Sequence, residues 1–446
     1  MSGPSDASAA STLVCDLGTA SSSAAVVTDD RSTLVPDPVT GAASWPSAVF
    51  WDGQQLLVGA QAERRRRAEP DAYAAEFKPG LAADVSVLLG QRRFRPVEQV
   101  VAMLSALRAE GERLHGAPIP RIVLTVPASY PPGDHRRTRL VAAGEAAGFL
   151  AVELLPEPVA AVSTPLTGPP FRAGDQVLVY DLGGGTFDAG LVRIGERWHE
   201  LLGHAALDDC GGRDIDALLA GRIRAESQQW LPPPATAEAA QRLDMAVTEF
   251  ARRIKHQLSD VPAVEDFLMP NAPPARLSRA ELAALAAPLL DRTVTCCAEL
   301  LTRLGVPAHD LAAVLMVGGA ARMPAVAEKL STLGAPLRPV AAPELATVLG
   351  AARWLPSSGP RRVAARTSPE PVIPLSFAIP GGAARLLHWL VLPGQAYLAG
   401  VPLARVRLPG GALWDLVAAT PGTLDRLLVP PGADVAAHEW LAFSRP

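Results

Sequence analysis

The stretch VYDLGGGTFDAGLV, residues 179–192, decides the reading of this chain, because a second stretch, VCDLGTASSSAAVV at residues 14–27, lies over it without a gap. Six of the 14 positions are identical: Val, Asp, Leu, Gly, Ala and Val. About one identity is expected by chance, so the pair reads as an internal duplication with an offset of 165 residues and implies two related lobes. Each copy flanks a glycine-bearing turn with β-rich residues, the pattern of a tight hairpin. Each sets an Asp at a strand end before its glycines: Asp16, Gly18 and Thr19 in one, Asp181, Gly183, Gly184, Gly185 and Thr186 in the other. Glycine tolerates positive φ and carries no Cβ, so backbone N–H groups can converge on an anion, while the nearby Asp can hold a hydrated divalent cation. One such turn would pass for an ordinary hairpin bend; two in duplicated lobes point to phosphate binding.

Between the hairpins, strands and helices alternate: helical EQVVAMLSALRAEGERL, a buried-strand run RIVLTVPA, and a helix through RRTRLVAAGEAAGF that stops at a glycine. After the second hairpin come helical LDMAVTEFARRIKHQL, a Pro-rich break, the long helix RAELAALAAPLLDRTVTCCAELLTRL, the strand AAVLMVGG, and a helix entered from AARMP. This order suits an α/β lobe with a helical insertion. Periodic apolar residues give way to Pro, Ser and Arg over residues 355–371, read as a linker. The runs LLHWLVL, LARVRL and DRLLV beyond it, parted by Pro/Gly turns, predict a small β-rich module over residues 372–446.

Composition narrows the function classes. The chain has 446 residues, 49% hydrophobic and 19% charged, which is enough apolar material for packed cores. A net charge of −4 lacks the basic footprint of a nucleic-acid binder. The run Arg64 to Arg67 sits between Glu63 and Glu69 and reads as the solvated face of a helix. The four cysteines, Cys15, Cys210, Cys296 and Cys297, have no metal or disulfide spacing, which favours a reducing cytoplasm. Neither a signal peptide nor a membrane span is expected, and residues 1–11 read as a disordered tail.

With these motifs in hand, the sequence resembles the sugar kinase, actin and seventy-kilodalton heat-shock ATPase fold, and most closely its DnaK-type chaperone branch. The resemblance spans residues 12–354 and rests on VCDLGTASS, WPSAVFW, VGAQAERR, LTVPASY, LLPEPVAA, YDLGGGTFD, CGGRDID, MVGGAARMP and APELATVLGAA, in that order. It implies an α/β, duplicated actin-like (ribonuclease H-like) two-lobe fold, with lobe I at 12–172 and 340–354, lobe II at 173–339, and ATP or ADP with Mg²⁺ in the cleft between. Asp16 and Asp181 resemble the carboxylates that hold magnesium through its water shell, and Thr19 and Thr186 the phosphate contacts. Glu157 matches a carboxylate near the attacking water, and Asp188 closes the second phosphate motif. Lys78 matches the lysine that reaches the γ-phosphate. Composition adds weight to Lys78, because lysine occurs only at 78, 255 and 329 beside 38 arginines, and its compact ammonium is not interchangeable with arginine's planar fork. Pro127 and Arg137 resemble the proline switch and its arginine partner.

At the nucleoside end, Lys255 and Ser259 match nucleoside contacts, and Gly318, Gly319 and Arg322 match adenosine contacts. Ala20 replaces a second threonine, Arg252 stands at a family glutamate, His256 at an arginine, Ala320 at a serine and Glu344 at an aspartate. The implied binding is magnesium-dependent with a relaxed preference for adenine. The implied function is a cytoplasmic chaperone-like ATPase, active in protein folding, that slowly hydrolyses Mg-ATP and controls a protein partner or client. A non-hydrolysing scaffold and a small-molecule kinase of the same fold remain as alternatives. The residues after 354 are too few for the family's β-sandwich plus helical lid, so the C-terminal module reads equally as a shortened substrate module or an unrelated docking module.

Overall fold

In strand Thr12–Leu17, successive residues alternate between two cores: Leu13, Cys15 and Leu17 pack into one apolar cluster, and Val14 into another on the opposite face. Strand Gln176–Leu182 repeats this parity 165 residues on, with Leu178, Tyr180 and Leu182 in one cluster and Val177 and Val179 in another. Both strands are therefore covered on both faces, which suits near-continuous apolar runs.

The structure, a computed structural model, describes residues 11–29, 31–196, 198–231, 233–270, 272–357 and 372–445. Most of the expected tail (1–10) and linker (358–371) lies outside the described residues. Two boundaries need correction. Ser11 is buried, its hydroxyl donating to the Pro118 carbonyl at 3.3 Å, and residues 355–357 are the end of helix Ala346–Ser357 rather than linker.

Two sheets carry the hairpins. The first runs from strand Ala151–Pro156 through Arg121–Val126, Thr12–Leu17 and Ser21–Thr28 to Arg31–Leu34, with Ser44–Pro46 also paired to Ser21–Thr28. The second runs from Leu337–Pro339 through Ala313–Val317, Gln176–Leu182 and Phe187–Arg193 to Glu200–Leu207. In each, the leading hairpin strand has a parallel neighbour on one side and its antiparallel hairpin partner on the other. Asp16 pairs with Ser23, and Asp181 with Asp188, in the same register.

Helices Pro96–His115 and His135–Ala146 cover the outer face of the first sheet; Arg279–Leu304 lies on that of the second, and Gly212–Ser227 and Ala237–Asp260 pack beside it in the same apolar cluster. The inner faces meet a shared layer made of helices Glu157–Ala161 and Ala346–Ser357. Their approach is close, since a Cβ on Gly350 would stand 2.0 Å from the Ala160 carbonyl oxygen. Asp16 shares the parity of Val14, and Asp181 that of Val179, so both carboxylates leave their strand ends on the inner side, between the sheets.

Residues 373–445 form two four-stranded antiparallel sheets. One orders as Ile373–Ser376, Trp440–Arg445, Gly422–Leu427 and Ala396–Tyr397; the other as Leu413–Val417, Pro402–Arg407, Ala383–Trp389 and Asp434–Ala436. Apolar side chains of this unit, including Phe377 and Phe443, join the same cluster as Phe94 and Val97 of the first lobe. Arg95 Nε meets Glu439 at 3.0 Å with both side chains buried, and Arg426 meets Glu145 at 2.7 Å. No described helix is long and apolar enough to cross a membrane.

Candidate functional site

The turns of the two hairpins touch. A Cβ on Gly184 would stand 2.3 Å from the Ala20 Cβ, and one on Gly185 would stand 2.6 Å from Thr19 Cγ2, so the second turn fits against the first only because it lacks side chains there. Gly318 has φ of +87° and lies against the second hairpin, where a Cβ would fall 2.4 Å from Asp181 Oδ1. These contacts bring the strand ends of both sheets to one cavity of about 650 Å³.

One end of the cavity holds its charges. Asp16, Lys78, Glu157, Asp181 and Asp188 line it, with Gly18, Thr19, Gly183, Gly184, Gly185 and Thr186 beside them. Lys78 is buried and donates to Glu157 Oε1 at 2.9 Å. Thr125, on the parallel neighbour strand, donates to Asp16 Oδ1 at 2.7 Å and fixes that carboxylate. Thr186 donates to Asp188 Oδ2 at 3.3 Å. Burial, then the charge of Glu157, push the Asp16 carboxyl up to about 6 and the Asp188 carboxyl up to about 7. Burial raises Asp181 well above the usual range, reinforced by Glu157, Asp188 and Asp16. Burial opposes the charge of Lys78, but Glu157, Tyr130 and Asp16 outweigh it and its ammonium is held more firmly than in water. Four carboxylates around a single ammonium fit a bound cation, which would relieve their mutual repulsion. Glycine-bearing turns beside such a cation fit phosphate groups. Among the described residues no group of three His, Cys, Asp or Glu side chains forms a direct metal cage.

The other end holds Lys255, Ser259, Gly318, Gly319 and Arg322. The Lys255 ammonium is already engaged, at 2.7 Å from Asp216 Oδ1 and 2.9 Å from the Gly212 carbonyl. Burial lowers its pKa, with Asp216 acting against that. Arg322 lies 3.5 Å from Asp260 and 3.6 Å from Glu344. Glu344 lines the cavity, and its Oε2 atom is buried without a hydrogen-bond partner. His256 is pushed down to about 4 by burial and by Lys255, Arg252 and Arg322, and stays neutral at physiological pH.

Two sequence expectations change. The Arg64–Arg67 run is not simply a solvated face: Arg66 and Arg67 both pair with Glu249 on helix Ala237–Asp260, tying the two lobes together. Lone charges in a sequence do not reveal a partner 182 positions away. Arg137 is not on the cavity wall and donates to the Tyr130 carbonyl at 3.2 Å. Its neighbour Arg136 takes the place, 3.8 Å over the Tyr130 ring and bonded to Asp134, the cap of helix His135–Ala146. Pro127 does line the cavity. Sequence reasoning missed Thr125, Tyr130, Asp216 and the ion pair of Glu76 with Arg213 at 2.6 Å, which crosses the cleft. Thr125 lies within LTVPASY and Asp216 within CGGRDID, so their motifs were visible although their roles were not.

Residues 72–354 match the family model described as Hsp70 protein. The chain is also similar to the "Chaperone protein DnaK" of Cenarchaeum symbiosum (strain A), at 29% identity over 334 residues, or 71% of this chain and 50% of that protein. It thus spans about half the length of this curated relative. The family match covers more than half of the chain and includes Lys78, Glu157, the second hairpin and the Gly318–Gly319 turn. The chain belongs to the Hsp70 family.

Proposed function

We propose that this chain is a chaperone-type ATPase that binds Mg-ATP between its two lobes, hydrolyses it slowly, and uses the nucleotide state to control a protein partner or client. The observation that carries this reading is the meeting of two glycine turns, from sheets of the same strand order, at a cavity that also holds Lys78 and Glu157. Their matched registers support the reading of the lobes as a duplication.

A magnesium ion here would be held through its water shell by Asp16 and Asp181, and would neutralise charge on the phosphates. The chain's own groups do the rest. The turn N–H groups at Gly18–Thr19 and Gly184–Thr186 position the phosphates, while the Gly183 N–H closes the hairpin on the Thr186 carbonyl. Lys78 swings from Glu157 toward the terminal phosphate, stabilising charge that grows on its oxygens. Glu157, released from that pair, accepts a hydrogen bond from the attacking water and orients it, and Asp181 and Asp188 complete the polar wall. No covalent intermediate is required. Because the turns sit on different lobes, di- and triphosphate favour different degrees of closure, and that differential affinity is the source of a switch. At the nucleoside end Ala320 offers no hydroxyl, which supports a relaxed preference for adenine.

The test is phosphate release and calorimetric ATP binding by the purified chain and by Lys78→Ala. Turnover by the wild type that the substitution abolishes, with binding retained, supports the reading. Binding without turnover in the wild type leaves a non-hydrolysing scaffold. Absence of nucleotide binding rejects the proposal.

A further inference from the structure

Among the described residues, every lysine and arginine on the cavity wall but one has an ion-pair partner. Lys78 is held by Glu157, Lys255 by Asp216, Arg213 by Glu76, Arg136 by Asp134, and Arg322 by Asp260 and Glu344. Arg252 lines the same cavity and is exposed, with no ion pair or hydrogen bond among the described residues. It lies one helical turn before Lys255 and His256, so it shares their face of helix Ala237–Asp260. The acidic groups nearby are already committed: Asp216 to Lys255, and Asp260 and Glu344 to Arg322. Burial depresses the neighbouring imidazole of His256, and the charges of Lys255, Arg252 and Arg322 add to that against Asp260. A surplus guanidinium in a cavity wall matches a ligand anion, and its planar fork suits a phosphate in particular.

The phosphates of a 5′-nucleotide are taken by the opposite end of the cavity, where the hairpin turns and Lys78 lie. Resting on that reading, we propose that Arg252 recognises a second phosphate carried on the ribose, so that the cleft prefers nucleotides phosphorylated at the 2′ or 3′ position over those with free hydroxyls. An acidic side chain at this position would accept hydrogen bonds from free hydroxyls; a cation cannot, and rewards the charged group instead. Arg252 is thus a specificity-determining residue, and ribose phosphorylation the feature that it reads.

The experiment is calorimetric titration of the full chain with ADP, with ADP carrying a 3′-phosphate and with ADP carrying a 2′-phosphate, in the presence of Mg²⁺. The same three ligands are titrated into Arg252→Ala and Arg252→Glu. At least one ribose-phosphorylated ligand is expected to bind roughly tenfold tighter than ADP to the wild type. That advantage is expected to vanish in Arg252→Ala and to reverse in Arg252→Glu. Equal or weaker binding of both phosphorylated ligands to the wild type overturns the inference while leaving the nucleotide site in place. An advantage that survives Arg252→Ala overturns the assignment to Arg252. Failure of all three ligands to bind overturns the nucleotide reading itself, and this inference with it.

Discussion

Lys78 and Gly184 show how single residues carry the proposed chemistry. Replacing Lys78 by Ala removes the buried ammonium and leaves Glu157 without its 2.9 Å partner. Turnover is expected to fall by at least a hundredfold, about 3 kcal/mol of transition-state stabilisation, with ADP binding still measurable by calorimetry. Unchanged turnover would remove Lys78 from the mechanism. Gly184→Ala puts a methyl 2.3 Å from Ala20, so the two turns must separate. ATP affinity is expected to drop by more than tenfold with little loss of secondary structure by circular dichroism. At this scale the sequence was informative where chemistry demands a residue type: glycines for close approach, aspartates at strand ends, a rare lysine. It was silent on Thr125 and Asp216, whose side chains act on Asp16 and Lys255 and are ordinary polar residues until the fold brings them together.

Elements explain how the parts are tied. Helix Pro96–His115 begins at Arg95, whose N–H donates to Glu98 at 2.9 Å, and the same Arg95 reaches Glu439 in the C-terminal unit. Burial raises Glu98 to about 7, with Glu439 adding to that and hydrogen bonds from the Arg95 and Trp440 backbones and the charge of Arg92 opposing it. Its value in the folded chain thus lies above the ordinary 4.5, so the folded state holds the extra proton between these values and stability falls as pH rises through that window. Glu98→Gln mimics the protonated form and is expected to flatten this part of the slope, read as melting temperatures at about pH 5 and about pH 7. The same slope in both proteins would show that Glu98 does not titrate there. Across the cleft, Glu249 holds Arg66 and Arg67. Glu249→Ala is expected to speed release of a fluorescent nucleotide by about fivefold in stopped flow, because a tie between the lobes is lost. Periodicity and turn residues made the strands and long helices legible, including helix Arg279–Leu304 from end to end. The ties between elements were not legible, since they join charges far apart in the chain.

At the scale of the molecule, the recurring hairpin motif made the central architecture readable: the two sheets share an order of strands, and their Asp-bearing ends meet because both follow the same inward parity. The C-terminal unit was legible only as β-rich. Its runs predicted strands, but alternation within a strand does not say which neighbouring surface the buried side covers, and here Phe377 and Phe443 join the first lobe's core. The central proposal is that Asp16 and Asp181 would hold the magnesium ion of Mg-ATP, through its water shell, between the lobes. Calorimetric titration of ATP into the full chain, with Mg²⁺ and with chelator, compared with an Asp16→Asn/Asp181→Asn variant, tests it most directly. The account predicts one site whose affinity falls at least tenfold without Mg²⁺, and a variant that no longer responds to the ion. Equal affinity with and without Mg²⁺ in the wild type, or an undiminished magnesium effect in the variant, would contradict it.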